Sequence, residues 1–134
     1  MTEEILFGKG EKNPFNQYFT GQTYLNILSI FNEVMVTNIT FDPGCRTKWH
    51  IIRADENGGQ IILITNGEGW YQEEGQNAQV LKPGDVVAIP TNVKHWRGAT
   101  KDSEFTHVII EVPGKNPDIE WCEEVSDEEY NALE

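Results

Sequence analysis

The sequence predicts an all-β domain, a sandwich or barrel of short strands closed by one short helix at the C-terminus. Three observations predict it. Runs rich in β-branched and aromatic residues recur from Thr23 to Val112. Turn-forming residues break them at short intervals: Asn32-Glu33, Pro43-Gly44, Asn66-Gly67, Glu74-Gly75, Pro83-Gly84 and Pro90-Thr91-Asn92. No stretch of helical period lies between the runs, which excludes a doubly wound βαβ fold. A chain of 134 residues has room for one core and not for two.

Taken in order, residues 1–20 are polar and broken by Gly8, Gly10 and Pro14, and read as an arm that packs on something else or stays mobile. Residues 21–115 read as the barrel. Its first two strands, Tyr24–Phe31 and Val34–Phe41, flank Asn32-Glu33 as a hairpin turn. Further strands are expected at Thr47–Ile51, Gln60–Thr65, Gly69–Glu73, Ala78–Leu81, Asp85–Ile89 and Phe105–Val112. Residues 116–134 read as an extension. In it Ser126-Asp127-Glu128-Glu129 forms a capping box: Ser126 at the N-cap, a glutamate three residues on, and acids where the helix dipole favours them. Trp121 is expected to anchor this extension on the barrel.

Composition narrows the function. Ten basic residues against 22 acidic ones give a formal charge of −12, a surface that repels nucleic acid and anionic membranes. No apolar run reaches the ~20 residues of a membrane span. Met1-Thr2-Glu3-Glu4 has no basic region of the kind that opens a signal peptide, so the reading is cytoplasmic. Cys45 and Cys122 are far apart and read as reduced thiols, not as a zinc site. Neither a phosphate loop nor a nucleophile elbow is present.

The chemistry-bearing residues fall into two spaced groups. Five residues separate Gly44 from His50, and six separate Gln60 from Gly67. Gly84, Pro90, Asn92 and His95 follow at further fixed intervals. These stretches resemble the paired motifs of the cupin superfamily, with Asn92 where the family has a glycine; asparagine tolerates the left-handed backbone better than other residues with a Cβ. Phe41-Asp42-Pro43-Gly44, Trp49-His50, Gly67-Glu68-Gly69-Trp70, His95-Trp96, Thr106-His107 and the Trp121–Tyr130 segment resemble one branch in particular. That branch contains small single-domain cupins similar to carboxymuconolactone-decarboxylase-associated cupins and to manganese-dependent hydroxynitrile lyases. The resemblance covers roughly residues 19–130. It implies a cupin jelly-roll β-barrel, a homodimer, and a divalent metal (Mn, Fe, Ni or Zn) held by His50, Gln60 and His95.

One family ligand is missing. The second histidine of the first motif is Ile52 here, on the same face as His50 in a regular strand, and the loop after it is long. Asp55 or Glu56 in that loop is a possible replacement oxygen donor. With two imidazoles and one amide, all neutral, a divalent ion would keep its full charge and act as a strong Lewis acid, though weakly held. The competing reading makes His50 and His95 buried histidines hydrogen-bonded to each other or to Gln60. His107 in the last long strand matches a cavity-lining histidine of that branch, and would act as proton acceptor; its place on an outer face or in an interface is the alternative. Arg97 shares the face of His95 and either meets a substrate carboxylate or lies on a solvated rim. Thr47 is expected to place its hydroxyl inward near the metal only if no bulge separates it from His50. Trp49, Trp70, Trp96 and Trp121 read as core and interface residues before substrate stackers. The leading expectation is a small metal-dependent enzyme, a lyase, isomerase or oxidoreductase. It would act on a small oxygenated organic molecule by proton transfer or C–C bond chemistry at a metal-bound oxygen. The alternative is a non-catalytic small-molecule-binding cupin that has lost its metal.

Overall fold

A computed structural model describes residues 5–133. The opening tetrapeptide on which the reading of the leader rests lies outside the described residues. Among the described residues, thirteen strands form two antiparallel sheets and one short α-helix follows them. In chain order the strands are β1 (Glu11–Lys12), β2 (Phe19–Thr20), β3 (Thr23–Phe31), β4 (Val34–Phe41), β5 (Arg46–Thr47), β6 (His50–Arg53), β7 (Gln60–Gly67), β8 (Gly69–Glu73), β9 (Gln79–Leu81), β10 (Val86–Ile89), β11 (Lys94–Ala99), β12 (Phe105–Glu111) and β13 (Asp118–Trp121), and the helix α1 is Asp127–Asn131.

The first sheet runs β1-β3-β4-β12-β7-β10. In the second, β11 pairs on one edge with β5 and β6 and on the other with β8, since His95 faces both His50 and Glu73. β13 extends this sheet beyond β6, β2 beyond β5, and β9 beyond β8. Between the sheets lies an apolar core containing Ile39, Phe41, Ile52, Ile62, Ile64, Phe105 and Ile109. A second cluster, Trp49, Trp70, Trp96, Val125 and Tyr130, lies on the outer face of the second sheet under the C-terminal extension. This is the all-β barrel with a short C-terminal helix that the sequence predicts.

Several local expectations hold. Asn32 and Glu33 both adopt positive φ (47° and 69°), the backbone that a two-residue hairpin turn requires. Asn92 has φ 63°, as its glycine-like place demands. The capping box forms in full: Glu129 N–H donates to Ser126 Oγ, and Ser126 N–H donates to the Glu129 carboxylate.

Three features differ from the sequence reading. Asn66-Gly67, read as turn punctuation, forms the end of β7 in the first sheet, and β8 begins in the second. Gly67 is required there, because a Cβ would sit 1.7 Å from the Glu104 carbonyl oxygen. The strand expected at Thr47–Ile51 is two strands with a bulge between them. Five residues from Arg46 to His50 oppose four from Gly98 to His95. Finally, β11 and β13 carry too much charge to stand out as strands. The segment read as an arm is fastened down: β1 pairs with β3, Lys9 bridges Glu104 at 2.9 Å, and the Gly8 carbonyl accepts from Asn38.

Candidate metal and acid-base site

Alternation along the inner strands decides which side chains meet. In β11 the odd positions point inward, so His95 and Arg97 enter the barrel while Trp96 goes outward. The bulge at Lys48-Trp49 resets the parity of the neighbouring strand. Thr47 and His50 therefore both face in, and Arg46 and Trp49 face out. Thr47 is 1% exposed and its Oγ1 accepts from the Arg97 backbone N–H, so it braces β11 from the inside. In β12 the inward set is Phe105, His107, Ile109 and Glu111, and in β7 it is Gln60, Ile62 and Ile64. Register places Gln60 opposite Glu111 and Ile64 opposite His107.

The two motif histidines lie ring to ring, with centroids 4.3 Å apart. Each is oriented by the main chain. His50 Nδ1 lies 2.8 Å from the Lys48 carbonyl oxygen, and His95 Nδ1 lies 3.0 Å from that of Val93. A carbonyl only accepts, so Nδ1 carries the proton in both rings and Nε2 keeps its lone pair. Burial, then the neighbouring His95 and Arg97, push His50 down to about 3, and burial pushes His95 down to about 4. Both are therefore neutral at pH 7. The His95 Nε2 and the Gln60 Oε1 are fully buried and have no hydrogen-bond partner. An unpaired buried lone pair costs about 1–3 kcal/mol, and two within one interior mark a place built to receive something. Their chemistry, imidazole nitrogen and amide oxygen, fits a first-row divalent ion. The direct His50–His95 hydrogen bond of the competing reading does not form, and Gln60 bonds to Glu111 instead, at 2.8 Å.

Ile52 is 8% exposed and belongs to the core cluster, so an alkyl group faces the interior where a second imidazole would stand. The following loop brings no replacement. Asp55 and Glu56 are exposed; Asp55 accepts from Asn116 at 2.8 Å, and both backbones pair with Lys115. Among the described residues no three His, Cys, Asp or Glu side chains converge as a metal cluster.

Deeper in the barrel, Arg97 is 4% exposed and not on a solvated rim. Its Nε donates to His107 Nε2 at 2.9 Å. His107 is wholly buried, on the inner face, and its Nδ1 has no partner. Burial and then the Arg97 charge hold this imidazole well below its ordinary range, so it is neutral. Burial lowers Arg97 to about 10 against the pull of Glu111 and Tyr71, and it stays protonated.

Glu111, Tyr71, Glu73 and Tyr18 were not singled out by sequence. Glu111 and Tyr71 flank Arg97 electrostatically. The Tyr71 hydroxyl donates to Glu73 at 2.8 Å, and both line a surface cavity of about 350 Å³ beside the His95 end of the barrel. Trp121 stacks on Tyr18 (centroids 4.4 Å, planes 6° apart) and lies 4.8 Å from the His50 ring. Only Glu111 had a usable signal: it ends the alternating inward set of β12. The other three tryptophans lie in the outer cluster.

The chain belongs to the cupin domain family, which matches residues 37–111. Over 126 residues it is 39% identical to the (R)-mandelonitrile lyase of Granulicella tundricola, covering 92% of this chain and 90% of that protein. A cupin-like protein from Thermotoga maritima superposes with a TM-score of 0.81 at 38% identity over 96% of both chains. A predicted oxalate decarboxylase from the same organism shares the fold, with a TM-score of 0.63 at 18% identity over 76% of this chain and 90% of that one. Among the described residues no helix is long and apolar enough to cross a membrane.

Proposed function

We propose that this chain is a metal-dependent cupin enzyme of lyase type, acting on a small oxygenated organic molecule by proton transfer or C–C bond chemistry. The observation that carries this reading is the pair of buried, unpaired lone pairs on His95 Nε2 and Gln60 Oε1, beside a His50 ring whose tautomer is fixed the same way. In this reading His50, Gln60 and His95 hold a Mn, Fe, Ni or Zn ion, which supplies Lewis acidity toward a substrate oxygen. The similarity to a mandelonitrile lyase over nearly the whole chain supports lyase chemistry.

The protein's own groups then handle the substrate and the proton. Arg97 turns its free guanidinium nitrogens to an oxyanion or carboxylate of the substrate. His107 is the proton acceptor. Its Nε2 lone pair is held by Arg97 in the resting site. When Arg97 moves its hydrogen bond to a substrate anion, the lone pair is released. The positive charge that depressed the imidazole is offset at the same moment, so its basicity rises as substrate arrives. Thr47 keeps β11 in place for this exchange.

The second reading, a binding cupin without metal, is favoured by one observation, the Ile52 side chain in the core. Elemental analysis of protein purified without a metal-affinity tag separates the two. Stoichiometric Mn, Fe, Ni or Zn supports the enzyme, and metal-free protein that retains a small molecule supports the binding module.

A further inference from the structure

The Gln60 amide has two ends, and only its oxygen suits a cation. Nothing in the apolar wall around it, Ile62 on its own strand and Ile109 on the neighbouring one, distinguishes those ends. Glu111 does. It stands opposite Gln60 in the β7–β12 register, and its Oε2 takes a hydrogen bond from Gln60 Nε2 at 2.8 Å. Burial pushes the Glu111 carboxyl up, opposed by the Gln60 hydrogen bond and the Arg97 charge, and in this contact its Oε2 is the accepting atom. The amide nitrogen must therefore face Glu111, which leaves Oε1 buried and unpaired toward the interior. The two histidines are oriented by main-chain carbonyls, which no substitution of their partners removes. Gln60 is oriented by a side chain.

We infer that Glu111 is a positioning residue for metal binding: it fixes the Gln60 amide with its oxygen toward the cation. This rests on the ligand set proposed above. An uncharged glutamine at 111 offers both an amide oxygen and an amide nitrogen, so Gln60 is free to turn over and present its nitrogen.

The test is Mn(II) titration of apo-protein by calorimetry for wild type, Q60A, E111Q and the double variant Q60A/E111Q. The inference expects E111Q to weaken Mn(II) binding about 10- to 100-fold, the scale of losing such an outer contact. The double variant should bind no more weakly than Q60A alone, because Glu111 acts through Gln60. If Q60A lowers affinity and E111Q does not, the inference is overturned and the ligand set stands. Additive losses also overturn it, since Glu111 would then act through its charge. If Q60A binds Mn(II) like wild type, the ligand set itself fails. Should E111Q not fold, side-chain amide exchange in the wild type decides. Gln60 Nε2 protons protected in the apo-protein support the inference, and freely exchanging ones refute it.

Discussion

Arg46 and Arg97 stand on neighbouring strands of one sheet and are buried alike, 5% and 4% exposed, yet they are treated in opposite ways. Arg46 faces out under the C-terminal extension. Its guanidinium donates twice to the Val125 carbonyl and once to Asp127, and stacks 4.4 Å over the Tyr130 ring. Arg97 faces in and, among the described residues, its guanidinium makes one hydrogen bond, to a histidine. The outer arginine is consumed by structure. The inner one keeps donors in hand, among imidazoles and an amide that also keep unpaired atoms. Burial alone does not distinguish a strut from a reactive group; the degree of satisfaction does.

The sharpest way to break this contrast is to exchange the two roles by mutation. Arg97→Met and His107→Ala should each lower turnover about 10²- to 10⁴-fold on a competent substrate, while metal content measured by mass spectrometry stays at the wild-type level. Arg46→Met should leave metal affinity unchanged but cost about 2–3 kcal/mol of stability in urea melts, through the lost carbonyl bonds and ring contact. Asp127 is largely exposed, so the ion pair adds little to that figure.

Acid tests the inner side as a whole. The folded values of His50 and His95 lie below the ordinary 6.5, so the unfolded chain takes up protons first as pH falls. The metal-free protein should hold its stability above pH 6.5 and lose it steadily down to about pH 3. Thermal melts at successive pH values measure this, and a melting temperature that is flat from pH 7 to 4 would contradict it. Ile52→His, which adds a third imidazole to the ligand set of His50 and His95, should tighten Mn(II) binding about 10- to 100-fold, as read by calorimetry. The smallest effect concerns neither arginine. The exposed Ile27, Ile30 and Phe31 of β3 favour self-association, and light scattering at micromolar concentration should report a homodimer.

The fold was legible because β-branched and aromatic runs bounded by turn residues survive in β3, β4, β7 and β12, where packing selects most of the side chains. β11 was illegible for the reason that makes it important. Its inner positions, His95 and Arg97, are polar, its outer Trp96 packs under an extension distant in sequence, and its Gly98 makes room for Arg46, whose Cβ an added Cβ would meet at 2.5 Å. His50, Gln60 and His95 could be picked out because motif spacing marks them. The inward course of Thr47 was not readable, since it depends on a one-residue bulge that no local pattern announces. Trp121 needed its partner Tyr18, a hundred residues upstream, to explain its place.

That stack between Tyr18 and Trp121 also sets a timetable. β13 docks beside His50 and brings Trp121 against its ring, while Glu111 must reach Gln60 from the preceding long strand. A nascent chain emerges N-terminal end first, so β3 and β4 can pair long before this neighbourhood exists. The wall around His50 closes only once β13 has been made. In the proposed reading, metal capture would wait for β13, and a product truncated before β13 would carry the histidines without the Trp121 wall beside His50.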